Sequence, residues 1–347
     1  MRRLHILACL LIIGASSLEV AAVARDLTLP TFAPLLPQVM ARAWVVNPKI
    51  GYLVRELKPD IYMITDGGYQ SLFVTTGKGV VLFDAPPSFA QHIVQAVRSM
   101  TREPIIMLVY SHCHVDHIGG AGLILRESPG IKIVAEAGVA RFLREMRDPA
   151  RPVPTSVFDH RETLVVGSMV AQLKVGYWHS PPGDLFIYFP RQRVLMAVDA
   201  MSAGSVPFMG FDLTQNMNEY FKVFDQILAY PFDVLVPGHH SNPSTHADVE
   251  LVKAYVMDVY QTTKRINESN HSALVAAATR KYGKENTYAI ARVLIHSEVN
   301  QCATEIERRW MTKLDDVDVW APSQCRTALV YFEWDVGPTG HIPISAD

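Results

Sequence analysis

The sequence predicts an α/β fold, with layered sheets covered by helices and a mostly helical module after them. Short β-like runs come in groups between residues 60 and 236, and segments with helical apolar periodicity separate those groups. From residue 245 onward the pattern turns largely helical. The 347 residues, 49% hydrophobic and 19% charged, form an ordered globular composition long enough to bury a large core. Formal charge is −2 and no long basic block occurs, so nucleic acid is not an expected partner.

In chain order, residues 1–24 read as an export signal. Arg2 and Arg3 precede an apolar run from Ile6 to Ile13, and Ala22-Val23-Ala24 is a small-residue cleavage site. Glu19 ends the apolar stretch well short of the ~20 residues of a spanning helix, so no stable membrane span is expected. The mature chain is therefore expected in the periplasm or outside the cell. Residues 25–54 form an N-terminal extension, Pro-rich and then helical around 38-QVMARAWVV-46.

Residues 55–245 are expected to form the catalytic domain. Strand-like runs 60-DIYMIT-65, 71-SLFVTT-76 and 80-VVLFDA-85 make a meander, and helix 88-SFAQHIVQAVRSM-100 leads into strand 105-IIMLVY-110. Strand 132-KIVAE-136 and helix 137-AGVARFLREM-146 follow, then strands near 162–166, 169–178, 185–190 and 193–199. Helix 215-QNMNEYFKVFDQILA-229 runs into 233-DVLVPGHH-240. Residues 246–347 are the mostly helical module, with helices over 248–266 and 300–314 and a final β-like segment, 327-TALVYFEWD-335. This module could cover the pocket or form a homodimer face. Cys302 and Cys325 are a candidate disulfide in an oxidising compartment, with two unpaired buried thiols as the alternative.

The chemistry concentrates in 110-YSHCHVDHIGG-120, where three histidines and an aspartate fall within six residues directly after an apolar strand. Burying so many imidazoles demands a partner for each ring. His112, His114 and Asp116 alternate, so an extended chain would point them one way and Cys113 the other, into the core. His117 must diverge, which suits a second ion beside the first. A helical zinc motif would place two histidines at i and i+4, so this is a loop motif. His179, Asp199 and His239 each end an apolar strand further on, where metal ligation competes with ordinary capping and turn roles.

Together, 112-HCHVDH-117, His179, Asp199 and His239 resemble the metallo-β-lactamase fold superfamily, whose hallmark is H-x-H-x-D-H followed by a distant His, Asp and His. The resemblance spans roughly residues 55 to 245 and implies a four-layer αββα sandwich. It also implies that His112, His114 and His179 hold one metal, that Asp116, His117 and His239 hold the other, and that Asp199 bridges them. Two Zn2+ per chain are the expected cofactors, with iron or manganese as alternatives for the same donors. Asp84 matches the family's first acidic position, a support for the metal loop, while His240 competes with His239 for the last ligand position.

The implied activity is hydrolysis of an ester, lactone or thioester carbonyl by metal-bound hydroxide, with Asp116 orienting the nucleophile and passing on its proton. The bridging aspartate is similar to that of glyoxalase II and N-acyl homoserine lactonases. A β-lactam hydrolase, an iron-dependent oxidoreductase and a non-catalytic binding protein are the alternatives. The expected partner is a small, partly apolar molecule. Met201, Phe208, Met209 and Phe211, in the stretch after Asp199, are candidates to line its pocket, with core packing as the other reading. Tyr69 is a similar candidate in the turn 66-DGGYQ-70. The third motif, His179-Ser180-Pro181-Pro182-Gly183, departs from the family's usual H-T-x-G, and Val198 precedes Asp199 where glycine is common. Both departures bear on the shape of the substrate-facing loops.

Overall fold

The computed structural model describes residues 30–337, so the expected export signal and its cleavage site after Ala24 lie outside the described residues. The chain divides into Met1–Pro34 and Leu35–Asp347, and the second unit holds every described element. A single helical turn, α1 (Pro37–Met40), precedes the sheets.

Seven strands stand in sequence order in the first sheet: β1 (Leu53–Lys58), β2 (Ile61–Thr65), β3 (Gln70–Thr75), β4 (Val80–Phe83), β5 (Ile105–Val109), β6 (Lys132–Glu136) and β7 (Ser156–Phe158). The first four are antiparallel, joined by short turns. From β4 onward the pairing is parallel. A parallel pair needs a crossover, and helices provide each one. These are α2 (Ala90–Met100), then α3 (Val115–Ile118) with α4 (Ala121–Glu127), then α5 (Ala137–Met146). The second sheet has the order β12-β11-β10-β9-β8, built from β8 (Arg161–Val166), β9 (Met169–Gly176), β10 (Asp184–Phe189), β11 (Val194–Ala197) and β12 (Val234–Val236).

Alternation along the strands divides the apolar side chains among three cores. Leu72, Val74, Val81 and Phe83 meet Ile187, Phe189 and Met196 between the two sheets. Phe73, Leu82 and Leu108 face the other way and pack under the crossover helices. Phe186, Leu195 and Leu235 face α7 (Met217–Leu228), which follows the short α6 (Met209–Asp212), and the C-terminal helices. The result is the expected four-layer αββα sandwich. Both faces of each central strand are buried, so β4 (VVLF) and β10 (DLFIYF) read as continuous apolar runs.

Strand direction then fixes where the strand ends lie. β9 and β11 both pair antiparallel with β10, so they run the same way, and β12 is parallel to β11. The carboxyl ends of β9, β11 and β12 therefore share one edge, as do those of the parallel pair β4 and β5. An isolated bridge between Tyr69 and His239 joins the start of β3 to the end of β12.

The C-terminal region consists of α8 (His246–Tyr282), α9 (Thr287–Trp310), α10 (Val317–Val330) and a π-helical turn, Tyr331–Val336. A capping box starts α8, with the Asp248 amide donating to Thr245 Oγ1 and the Thr245 amide to the Asp248 carboxylate. Arg42 forks onto both Asp248 oxygens at 2.7 Å. Cys302 and Cys325 form a disulfide between α9 and α10, with Cα atoms 6.0 Å apart. Among the described residues, no helix is long and apolar enough to cross a membrane.

Local propensity misleads at two places. The β-like segment 327–335 is helical throughout, running from α10 into the π-helical turn. Its aromatic and β-branched residues suit a strand, but Cys325, Ala328, Leu329 and Phe332 recur at helical spacing and are buried against the other helices. The helix expected over 38–46 stops at Met40 instead, and the chain turns over residues 41–43 before the Trp44 amide donates to Ser241 Oγ at 2.8 Å.

The disulfide closes a loop of sequence separation 23. Chain-entropy arguments give it about 3 kcal/mol of stability. Replacing Cys302 and Cys325 together by serine is expected to lower unfolding free energy by that order, measured by urea titration of metal-loaded protein.

Candidate metal centre

The strand edge converges seven side chains into two groups whose donor atoms lie within 4.8 Å of one another. His112, His114, His179 and Asp199 form the first, and Asp116, His117, His239 and Asp199 the second. All seven expected ligands are thus brought together, and Asp199 belongs to both groups.

Asp199 divides its oxygens between them. Oδ2 lies 3.4 Å from His112 Nε2 and 3.2 Å from His179 Nε2. Oδ1 lies 3.1 Å from His117 Nε2 and 3.0 Å from His239 Nε2. Asp116 Oδ2 completes the second group, 3.5 Å from His117 Nε2 and 3.9 Å from His239 Nε2. His114 Nδ1 completes the first, only 2.7 Å from His179 Nε2. One correction concerns Asp116. The extended chain aligns His112 with His114, but after His114 it curls into α3, a helical turn that carries both Asp116 and His117 to the second group. Cys113 is buried in the core under the crossover helices, as alternation requires.

Several of these buried atoms lack hydrogen-bond partners. His112 Nε2, His117 Nδ1 and Asp199 Oδ1 make no hydrogen bond, although Asp199 Oδ1 is within 3.1 Å of two imidazoles. Of these, His112 Nε2 and Asp199 Oδ1 face the cluster, whereas His117 turns Nε2 toward it and Nδ1 away, and each orphan facing the cluster is costly unless something fills the space between the donors. Imidazole and carboxylate donors in this arrangement fit two divalent cations.

Electrostatics leads to the same reading. Burial, reinforced by the neighbouring His179, pushes His114 down to about 4, and burial drives His112 well below its ordinary value. Burial opposes charge on His179 and His239 too, but the Asp199 carboxylate outweighs it and lifts both to about 9. Asp199 is held well below the usual carboxylate range despite its burial, first by His117 and then by His239 and His179. Protons thus satisfy only part of the cluster, and cations can satisfy all of it.

Supporting groups fix the loops behind the donors. Ser111 Oγ lies 2.9 Å from His112 Nδ1, and the Ser111 amide donates to Asp84 Oδ1 at 2.8 Å. Asp84 therefore supports the metal loop as expected, and burial raises its carboxyl to about 6. Arg151 Nη1 donates to the Cys113 carbonyl at 2.7 Å. The His179 amide donates to Asp184, while His179 Nδ1 donates to the carbonyl of Asp212 and so leaves Nε2 facing the cluster. That carbonyl is presented by a left-handed turn, with positive φ at Gly210, Phe211, Asp212 and Leu213. Asp212 holds the turn by accepting from the Phe208 amide at 2.7 Å and the Tyr220 hydroxyl at 3.1 Å. Fully buried Gln70 carries the His239 loop, its Nε2 lying 2.8 to 3.1 Å from the carbonyls of His239, His240 and Asn242, which share its two hydrogens, and its Oε1 accepting from the Gly238 amide. The Asp199 amide donates to Pro237 O, and Trp178 Nε1 to Val198 O.

A cavity of about 310 Å³ opens over both groups. Tyr69 and Phe208 line it as expected, with the Tyr69 ring 4.8 Å from that of His239. Met201 and Phe211 do not, because both are buried in the core beneath the helices. Met209 is exposed but off the cavity wall. After Asp199 the chain stays buried through residue 207 and comes to the surface only at Phe208 and Met209, so only part of the apolar stretch reaches the opening. Asp212, Leu213, Asp316 and Trp320 also line it and were not anticipated. Asp212 and Leu213 lie just past the flagged stretch, whereas Asp316 and Trp320 arrive from the C-terminal region with no local signal. His240, the competitor of His239, lines the cavity but belongs to neither donor group.

Residues 64–239, just over half of the chain, match the metallo-beta-lactamase superfamily. The chain belongs to that superfamily. Its seven converging donors form a candidate dinuclear metal site of this fold. Among its relatives, the 2,4-dinitroanisole O-demethylase subunit alpha of Nocardioides sp. (strain JS1661) is 25% identical over 198 residues, covering 55% of this chain and 59% of that protein. The metallo-beta-lactamase IND-1 of Chryseobacterium indologenes is 22% identical over 175 residues, covering 49% of this chain and 71% of that one. The chain thus spans less than two thirds of the demethylase subunit. The solved structure of the sec-alkylsulfatase Pisa1 from Pseudomonas sp. covers 81% of this chain and 50% of its own, at 16% identity and TM-score 0.54. That share exceeds the sandwich, so the likeness of fold takes in part of the C-terminal helices.

Two outcomes are expected. Gln70→Ala frees the His239 loop and should weaken zinc binding by roughly ten- to a hundredfold, read by competition with a chromophoric chelator. Zinc must displace protons from His179 and His239, both lifted to about 9, so its retention against a chelator should strengthen as pH rises from 6 to 9.

Proposed function

We propose that the protein hydrolyses a neutral, partly apolar ester or lactone, with zinc as the metal. The wall of the cavity carries this reading. Among the described residues it contains no lysine or arginine, while Asp116, Asp199, Asp212 and Asp316 all contribute to it. A sulfate ester or a carboxylate-bearing β-lactam would bring an anion with no cationic side chain to receive it. The relatives are named for an O-demethylase and a β-lactamase, two different activities, so the bond is argued from this chain's own cavity.

Two divalent ions held by His112, His114, His179, Asp116, His117, His239 and the shared Asp199 would supply a water acidic enough to react near neutral pH and a Lewis acid for the carbonyl oxygen. The protein does the rest. Asp116, the most exposed carboxylate of the donor set at 37% of its side chain, faces the opening and can take the proton of the attacking water and deliver it to the leaving oxygen. Phe208 and Trp320 pack at 4.5 Å between ring centroids and give the acyl or alkyl portion an aromatic wall. Tyr69 keeps its proton, its pKa raised by burial and then by Asp116, so its hydroxyl can donate to a substrate oxygen.

A panel of neutral esters, lactones, thioesters, alkyl sulfates and β-lactams tests the reading on zinc-loaded protein. Neutral esters or lactones should turn over best, and Asp116→Ala should lower their kcat by roughly 10² to 10⁴. Preference for a sulfate or β-lactam would refute the assignment.

A further inference from the structure

The C-terminal helices assemble another set of metal-type donors on elements that play no part in the centre above. His271 on α8, Glu298 on α9 and Glu333 in the π-helical turn place one donor atom each within 4.8 Å of one another. His271 Nδ1 lies 3.4 Å from Glu298 Oε1 and 3.5 Å from Glu333 Oε1. Glu298 is 1% exposed, and its Oε1 has no hydrogen-bond partner. A buried carboxylate oxygen aimed into the cluster without a donor is a costly arrangement.

The neighbours do not relieve it. Asn267 Nδ2 is 3.1 Å from Glu298 Oε2, 2.9 Å from Glu333 Oε1 and 3.2 Å from His271 Nδ1. An amide nitrogen has two hydrogens for these three acceptors, so one is left over. Among the described residues, no lysine or arginine forms an ion pair with either glutamate. Burial and the Glu298 charge together raise the carboxyl of Glu333. Two carboxylates converge here, and a protonated imidazole would neutralise only one of them.

We infer that His271, Glu298 and Glu333 bind a divalent transition-metal ion that ties α8, α9 and the π-helical turn together. One imidazole nitrogen with carboxylate oxygens suits zinc or its neighbours better than calcium or magnesium. A half-turn of the Asn267 amide exchanges Nδ2 for Oδ1 and supplies a further oxygen donor. The His271 side chain is 42% exposed, so solvent reaches the cluster from that side. Position gives the ion a structural role. Beyond Asn267, α8 buries only Ala278, so the cluster stands where the packed part of the helix ends. The Cys302–Cys325 disulfide fastens α9 to α10 one turn further along α9 from Glu298, and the ion would fasten α9 to the continuation of α10.

The test compares full-length protein with a His271→Gln, Glu333→Gln double variant, both equilibrated with Zn2+, desalted and analysed for zinc per chain by mass spectrometry. The variant should carry one zinc fewer while the zinc of the catalytic centre stays, because none of its donors is altered. Equal counts would overturn the site. Should the variant lose the wild-type circular dichroism spectrum, zinc-edge anomalous diffraction from the unaltered protein decides. A peak bounded by His271, Glu298 and Glu333 supports the site, and its absence there sinks it.

Discussion

A single buried carboxylate, Asp199, organises the centre. Its two oxygens lie 3.0 to 3.4 Å from four imidazoles, one oxygen serving each group. It does so from a positive φ of 56°, a conformation that aspartate tolerates better than most residues. A charge this deeply buried persists only if it is matched. The imidazoles match it in part, but lone pairs of neighbouring rings then point at each other. Cations remove both conflicts together, because each donor can face an ion instead of another donor. The geometry of the sandwich edge can be understood as whatever holds these lone pairs still.

That holding is done mostly through backbone carbonyls. Gln70 grips the His239 loop by three of them, Arg151 grips the metal loop through Cys113, and Asp212 presents its own carbonyl to His179. A side chain that fixes a loop through main-chain atoms constrains position without adding charge to the cluster. The arrangement also stores strain in the left-handed turn at 210–213, held down by the Asp212 carboxylate and by Ser323 Oγ, which accepts from the Gly210 amide.

The helical region completes the cavity as well as the core. Ser205 and Asp315 bridge, the Val206 amide donates to Asp315 O, and the Asp315 amide donates to Gly204 O. Fully buried Gln324 donates to Pro207 O and accepts from the Tyr255 hydroxyl. These bonds dock α10 against the loop after Asp199 and set Asp316 and Trp320 over the opening. Specificity and scaffold are therefore joined: the wall facing substrate is the same surface by which the helices attach to the sandwich.

The sequence alone determined the metal donors and the architecture that carries them, because both rest on local pattern. Apolar runs such as 80-VVLF-83 mark strands buried on two faces, and 112-HCHVDH-117 gathers four metal-type donors in one short segment. The same locality set the limits. Whether 327–335 became strand or helix depended on which neighbours buried Phe332, and Met201 and Phe211 faced the core while Phe208 faced the cavity because of a backbone turn that no composition reports. Gln70, Asp316 and Trp320 acquire their roles from residues far away in the chain, as does the convergence of His271, Glu298 and Glu333. Strands and ligands are written in neighbouring residues, whereas a cavity wall exists only where distant segments meet, and packing alone decides which ones do.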